Sequence, residues 1–430
     1  MTITFIGHGY VGLVTACVFA DFGNNVWVIG HTPKKLKRLK RGDPIIYEPG
    51  LKELLEKNLK AKRLFFTQDY SKAIPHSDVV FITVGTPMSK QGEADLATVF
   101  EVAEKLAPHL KKGKTVISCK STVPVGTNKK VLEIVNKKKP KEAVALIASC
   151  PEFLREGTAL SDTFNPDRIV IGSDSNEAIE LLMELHKSLD GARVITNLSS
   201  AELIKYAANS MLATKVSFAN FISLYAERAG ADVETVLDAV GLDKRIGRVF
   251  LNPGIGYGGS CLPKDVAAMI YIGKSLNVDA SFLEKVSMVN TLARTTFVKK
   301  IVTNAPGKNI AVWGLSFKPE TDDIRAAPSL YILNDLLEKG FKITVYDPVA
   351  MKNVKKMFGN RVKYSDNPYK TLEEADALCV FTEWNEFKEI DLTRVKKMMK
   401  RPVIFDGRNM YDLKKMKRLG FEYYGVGRNS

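Results

Sequence analysis

Short apolar runs bounded by glycine, proline and polar residues recur through the first half of the chain. Residues 2–6, then Asn25–Ile29, Val79–Val84, Thr115–Cys119, Leu146–Ser149 and Arg168–Ile171 each read as a buried strand. Helical stretches separate them, and the first, Tyr10–Phe22, follows directly on a glycine turn. Strand–helix alternation of this kind predicts a parallel, doubly wound α/β sheet. From residue 200 to 229 the chain has neither proline nor glycine, which predicts one helix of roughly 45 Å at about 1.5 Å per residue. It is apolar on more than one face, so it is expected to pack against both flanking domains and a partner subunit.

The second half repeats the first in degenerate form. Residues 310–314 (Ile-Ala-Val-Trp-Gly) echo Phe5-Ile6-Gly7, and Phe341–Tyr346 followed by Asp347-Pro348 echoes the second strand. Residues 376–382 echo 78–83 in the same way. The expected architecture is two Rossmann-like doubly wound domains joined by a long central helix. Its parts are a dinucleotide-binding domain over 1–199, a helical dimerisation region with a cysteine loop over 200–303, and a second Rossmann-like domain over 304–430. The last boundary falls at Asn304-Ala305-Pro306-Gly307.

Composition narrows the function classes. With 430 residues and 45% apolar content, two or three globular domains are expected. No apolar run reaches the roughly 20 residues of a membrane span, and the glycine motif begins at once after residue 6, so neither membrane association nor a secretory leader is expected. Five cysteines lack any C-x-x-C spacing, which fits a reduced, cytoplasmic protein without zinc or disulfides. The net charge of +15 raises nucleic acid as a partner. No recognition-helix, RNA-binding or zinc-finger motif accompanies it, so the lysine runs are read as a solvated surface. The five histidines form no ligand cluster along the sequence, and no metal is expected.

Two motifs carry chemistry. Gly7-His8-Gly9-Tyr10-Val11-Gly12 follows a strand and opens a helix, the context that makes it a dinucleotide fingerprint. Gly9 would let the backbone approach a pyrophosphate at the helix N-terminus, and Gly85-Thr86 lies at the end of a later strand on the same edge. The second strand normally ends in an acid that holds the ribose hydroxyls. Here Gly30 stands there, followed by His31, Thr32, Pro33, Lys34 and Lys35. Two readings stay open: NAD binds through backbone and pyrophosphate alone, or Thr32, Lys34 and Lys35 open the site to the 2′-phosphate of NADP. On the second reading, Gly30→Asp is expected to turn preference toward NAD by around tenfold.

The other motif is Gly258-Gly259-Ser260-Cys261-Leu262-Pro263-Lys264-Asp265. It sets a thiol, an ammonium and a carboxylate behind a glycine lead expected to be flexible. A thiolate attacks aldehydes, and a neighbouring cation lowers its pKa. A hydride acceptor and a reactive cysteine together point to oxidation through a covalent thioester.

These residues resemble the UDP-glucose 6-dehydrogenases, a branch of the nucleotide-sugar 6-dehydrogenases. The likeness runs through Gly7–Gly12, Ile46–Leu51, Ser121–Thr127, Pro151–Gly157, Lys205–Asn209, Arg245–Gly247, Gly256–Asp265, Phe317–Pro319 and Thr321–Arg325. It implies a four-electron, NAD-dependent oxidation of C6 of UDP-glucose to UDP-glucuronate. By the same resemblance, Lys205 and Asp265 hold a catalytic water, with Asn209 and Thr122 beside them. Lys205 also steadies charge on the C6 oxygen, Cys261 traps the aldehyde, and Glu152 helps water hydrolyse the thioester. Gly7, Gly9, Tyr10, Val11, Gly12, Gly30, Thr32, Lys35, Gly85, Thr86, Thr122, Glu156 and Lys264 are then expected at the cofactor. Phe153, Leu154, Phe250, Leu251, Tyr257 and Gly258 match substrate-pocket positions, along with Lys205 and Asn209. Phe317, Lys318 and Arg325 match nucleotide-contacting positions of the last, UDP-sugar-binding domain. Arg245 matches an arginine given across a homodimer interface. Cys150 stands where the family has asparagine, putting a local hydrogen bond in doubt, while Cys17, Cys119, Cys150 and Cys379 are expected to be inert core. Two alternatives are weighed: a GDP-mannose 6-dehydrogenase, which shares the cysteine motif, and a non-catalytic nucleotide-binding scaffold. Tyr47, Tyr257 and Arg245-Ile246-Gly247 favour UDP-glucose, and the retained Cys261, Lys205 and Asp265 argue against a scaffold.

Overall fold

Burial of β-branched and aromatic residues organises the computed structural model, which describes residues 1–428. Eight strands form the first sheet: β1 (Thr2–Ile6), β2 (Asn25–Ile29), β3 (Leu64–Thr67), β4 (Val79–Ile82), β5 (Gly113–Cys119), β6 (Ala143–Ser149), β7 (Arg168–Gly172) and β8 (Ala192–Thr196). Their order is β3-β2-β1-β4-β5-β6-β7-β8. Neighbours run parallel except β6 and β7, which meet antiparallel through Ser149 and Gly172. The order in which strands are added reverses between β1 and β4, and in such sheets ligands bind outside the carboxyl ends at that crevice.

The helix Tyr10–Asp21 is buried continuously from Gly12 to Ala20 because one side meets the sheet and other helices cover the rest. Phe5, Phe19 and Phe81 stack there, the Phe5–Phe81 centroids 5.0 Å apart. Strands β3 and β8 escape the apolar-run pattern for a simple reason: β3 has only four residues, and β8 is an edge strand with no fully buried position.

The second sheet has six strands, all parallel: β9 (Asn309–Trp313), β10 (Lys342–Tyr346), β11 (Lys363–Tyr364), β12 (Ala377–Val380), β13 (Val403–Asp406) and β14 (Glu422–Tyr424), in the order β11-β10-β9-β12-β13-β14. The proline- and glycine-free stretch is one helix, Leu198–Ala229, about 48 Å long at 1.5 Å per residue. The chain gathers into two compact units, Met1–Ala208 and Asn209–Ser430, so their boundary falls inside this helix. No helix among the described residues is long and apolar enough to cross a membrane.

Candidate active site

In the first unit the glycine fingerprint divides its labour. Gly7 has φ +124°, and a Cβ there would lie 2.6 Å from the Thr83 carbonyl oxygen. A Cβ on Gly12 would lie 2.1 Å from the Gly7 carbonyl oxygen, so this glycine lets helix and strand close up. Gly9 differs: nothing lies within 4 Å of its Cβ position. The same is true of Gly85. Open backbone at the N-terminus of a 12-residue helix fits the pyrophosphate of a dinucleotide. Around it, the Tyr10 hydroxyl donates to the Tyr47 carbonyl, and the Thr86 hydroxyl donates to the Thr122 carbonyl at 3.0 Å. Val11 is half-buried and Glu156 buried.

The ribose end departs from expectation. Thr32 precedes the short helix Pro33–Leu39 without a side-chain cap bond. A Cβ on Gly30 would lie 2.8 Å from Leu36 Cδ2 and 2.9 Å from His8 Nδ1. The expected effect of Gly30→Asp is therefore corrected. An added side chain does not enter an empty pocket but collides with the imidazole already there.

Lys205 is buried on the long helix, its ammonium 3.2 Å from Glu152 Oε1 and 5.2 Å from the Phe153 ring centroid. The other Glu152 oxygen accepts from the Leu154 amide at 2.7 Å, fixing the Phe153-Leu154 turn. Two buried acids not singled out from the sequence hold the loops around this pair. Glu202, three residues before Lys205, accepts from the amides of Gly126 and Asn128 at 2.7 and 2.8 Å and from Asn128 Nδ2 at 2.7 Å. It thereby ties the Ser121–Thr127 loop, which carries Thr122, to the long helix, and its burial pushes its carboxyl pKa up. Glu48 accepts from the Gly157 and Ala159 amides, both at 2.6 Å, and holds the loop after Glu156. A carboxylate inside an otherwise apolar or glycine-rich motif was the available signal for both.

Cys150 replaces an expected amide side chain. Lys120 donates to its carbonyl at 3.2 Å and lies 3.9 Å from its sulfur. Cys17, Cys119, Cys150 and Cys379 are all buried, and burial pushes the thiols of Cys17, Cys119 and Cys379 up, out of the nucleophilic range.

Cys261, in the second unit, is the exposed cysteine. It is the N-cap of the helix Leu262–Ser275, where the positive end of 14 aligned peptides favours a thiolate. Asp265, fully buried in the first turn, accepts from Asn209 Nδ2 and Lys264 Nζ, each at 2.5 Å. Lys264, expected at the cofactor, is thus engaged by its neighbour. The glycine lead, expected to be flexible, is closely packed. A Cβ on Gly258 would lie 2.3 Å from the Ala326 carbonyl oxygen, and one on Gly259, at φ +84°, would lie 2.7 Å from the Phe317 ring. The Gly259 amide also donates to the Arg325 carbonyl at 2.9 Å. The two glycines therefore pack the cysteine loop directly against the Phe317–Arg325 loop.

Further residues lock that junction. Asn290 bonds both the amide and the carbonyl of Tyr257, at 2.7 and 3.1 Å. Arg408 bridges the carbonyls of Phe381 and Gly256 at 2.9 and 3.2 Å. Burial raises the Tyr257 phenol to about 12, so it stays protonated. Lys318 Nζ lies 5.7 Å from the Phe317 ring centroid, and Arg325 forks onto Asp323 while remaining 62% exposed. Phe250 adopts φ +65°, a strained backbone for an aromatic residue, beside buried Leu251. Arg245 stands 88% exposed, paired with Asp243 at 2.6 Å.

Comparison with known proteins gives one family throughout. Residues 1–190, 199–292 and 311–413 match the NAD binding, central and UDP binding domains of the UDP-glucose/GDP-mannose dehydrogenase family. A UDP-glucose 6-dehydrogenase of Bacillus subtilis is 46% identical over 99% of this chain and 93% of its own length. One from Rhizobium meliloti is 42% identical over the whole of both chains. The structure of a UDP-glucose dehydrogenase from Pyrobaculum islandicum superposes with a TM-score of 0.93 at 37% identity, covering 100% of this chain and 98% of that one.

Proposed function

The chain belongs to the UDP-glucose/GDP-mannose dehydrogenase family, and on that premise we propose that it oxidises C6 of UDP-glucose twice, to UDP-glucuronate, through a thioester on Cys261. The observation that carries this reading is the exposed thiol at a helix N-cap, with a buried, doubly bonded Asp265 one turn on, while every other cysteine is buried.

NAD, when bound, supplies the hydride acceptor, once for each oxidation. The residues of the chain handle the protons and the carbon centre. As hydride leaves C6, the hydroxyl proton passes to a water held by Lys205 and Asp265, and the Lys205 ammonium steadies charge developing on the C6 oxygen. The Cys261 thiolate then adds to the aldehyde carbon, and its oxygen takes a proton, giving a thiohemiacetal. Loss of the second hydride, with the hydroxyl proton returned to the base, leaves a thioester. Water, activated by Glu152, displaces the thiolate and gives the carboxylate. Asn209 keeps Asp265 oriented, and Lys205 lies one turn away on the same helix (i, i+4).

Within this reading, residues 1–199 hold the cofactor, 200–303 carry the cysteine loop and pair two subunits, and 304–430 hold the UDP group through Phe317, Lys318 and Arg325. The expected partner is a second copy of the chain. Met211, Phe218 and Tyr225 recur every seventh residue on the long helix with 46–62% exposure, an apolar stripe that a homodimer would cover. Arg245 reaches the neighbouring sugar in that assembly. Reduced cysteines fit the cytoplasm.

A cofactor-reduction assay crossing UDP-glucose and GDP-mannose with NAD and NADP tests the reading. Two reduced cofactors per UDP-glucose, with little turnover of GDP-mannose, are expected. Preferential oxidation of GDP-mannose would replace the substrate assignment, and one reduced cofactor per sugar would remove the thioester.

A further inference from the structure

In this fold an acid at the end of the second strand holds the adenosine ribose hydroxyls. Gly30, immediately after β2, offers no side chain, and the space it leaves is filled from elsewhere. The Cβ position of Gly30 lies 2.9 Å from Nδ1 and 3.2 Å from Cγ of His8. His8 comes from inside the fingerprint, between Gly7 and Gly9, and is only 5% exposed. Its ring stands 5.1 Å from that of His31, edge to face. Burial, aided by the charges of His31 and Lys35, lowers its pKa to about 4. At neutral pH it is an uncharged ring with one donor and one acceptor nitrogen.

We propose that His8 takes over the ribose contact that the fold ordinarily draws from the end of the second strand, and that the pocket it forms with His31, Thr32, Lys34 and Lys35 accepts the 2′-phosphate of NADP as well as the 2′-hydroxyl of NAD. A neutral imidazole hydrogen-bonds a hydroxyl without repelling a phosphate, whereas a carboxylate repels it. Glu101, whose carboxylate feels the charge of His31, is itself paired with Lys105 at 2.5 Å. The lysines add charge-assisted bonds to a phosphate, weakened by solvent because they are exposed. The geometry also explains why the two positions are coupled. A side chain at 30 and an imidazole at 8 claim the same volume, so neither changes alone without consequence.

This inference rests on the NAD-dependent dehydrogenase reading. Its test is isothermal titration of NAD and of NADP into the wild type, His8→Ala, Gly30→Asp and the His8→Gly/Gly30→Asp double variant, with UDP-glucose turnover of the wild type measured separately. The wild type is expected to bind the two nucleotides within about tenfold of each other, and His8→Ala to weaken NAD by about tenfold, the value of one hydrogen bond. Gly30→Asp alone should weaken both nucleotides. The double variant should regain NAD and bind NADP at least about tenfold more weakly than the wild type does. Should His8→Ala fold poorly by its melting temperature, His8→Asn keeps a hydrogen-bonding group in less volume and is expected to retain NAD better than His8→Gly. Unchanged NAD affinity in His8→Ala, or a Gly30→Asp single variant that binds NAD as well as the double, overturns the proposal. A wild type that binds both nucleotides yet leaves UDP-glucose unoxidised would refute the dehydrogenase reading and leave the ribose pocket standing.

Discussion

The two sheets solve the same opening in the same way and then part company. Gly7 and Gly314 both take positive φ, +124° and +86°, and a Cβ at either would also strike a threonine just beyond β4 or β12. Those threonines, Thr83 and Thr382, donate back to the Ile6 and Ser316 carbonyls at 3.0 and 2.6 Å. Each first strand starts on an aspartate, Thr2 on Asp78 and Asn309 on Asp376, both at 3.0 Å. The difference comes one strand later. Where β2 is followed by bare Gly30, β10 is followed by Asp347, 1% exposed. It accepts from the amides of Leu315, Ser316, Val349 and Ala350 at 2.7–3.1 Å and from the Trp384 indole at 3.3 Å. An acid of the kind a ribose would use is here bonded internally. One sheet leaves this position to a bare glycine beside His8; the other fills it with a carboxylate bonded to its own loops.

The sharpest test of this division concerns the chemistry carried outside the cofactor sheet. Cys261→Ser should lower UDP-glucuronate formation by at least about 10³-fold, since a serine hydroxyl is a far poorer nucleophile and leaving group. Carboxylate production at the wild-type rate would break the assignment of covalent chemistry to the second unit. Next in size, Asp347→Ala strands three buried amides, one half-buried amide and an indole, and urea unfolding should show a loss of about 3–5 kcal/mol. A loss under 1 kcal/mol would mean that those donors do not depend on this carboxylate.

Acid should separate the two units further. All five histidines lie in the first, and burial, helped by the charge of Lys120, depresses His186 to about 3. A histidine held neutral in the fold stabilises fully above its ordinary pKa near 6.5, and that contribution drains as pH falls toward the folded value. His186 alone should cost about 2 kcal/mol by pH 5, at roughly 1.4 kcal/mol per pH unit. Urea midpoints at pH 7 and pH 5 measure this, and His186→Leu should lessen the difference but not abolish it, because His8 is depressed too; an equally steep loss in that variant would point to other groups. The smallest effect is expected at Glu202. Glu202→Gln keeps the shape but weakens the charge-assisted bonds to the Ser121–Thr127 loop, so kcat should fall by about three- to tenfold. Full recovery of kcat in Glu202→Asp would be unexpected, because the shorter side chain cannot span both amides, and would show that the loop is positioned by something else.

The reach of the sequence differs by region. Strands β1, β2 and β4 and the glycine turn were legible because apolar period and φ > 0 are local properties, whereas the helix after Cys261 reads only as a loop although Pro263 and Asp265 stand in its first turn. The antiparallel join of β6 and β7 was not, since an apolar strand has the same pattern in either direction. The cysteine loop read as flexible from its two glycines, yet those glycines are where Ala326 and Phe317 approach.

By itself the sequence determined which chemical groups are present, which turns need glycine and which segments must be buried. Tertiary structure decided what those groups touch. Glu48 meets an amide 109 residues away, Glu202 one 76 residues earlier, and His8 fills the space beside Gly30. Such partners are set by chain closure: backbone preference acts over a few residues, whereas a buried carboxylate or imidazole is satisfied by whatever donor or vacancy the packed sheets bring within about 3 Å.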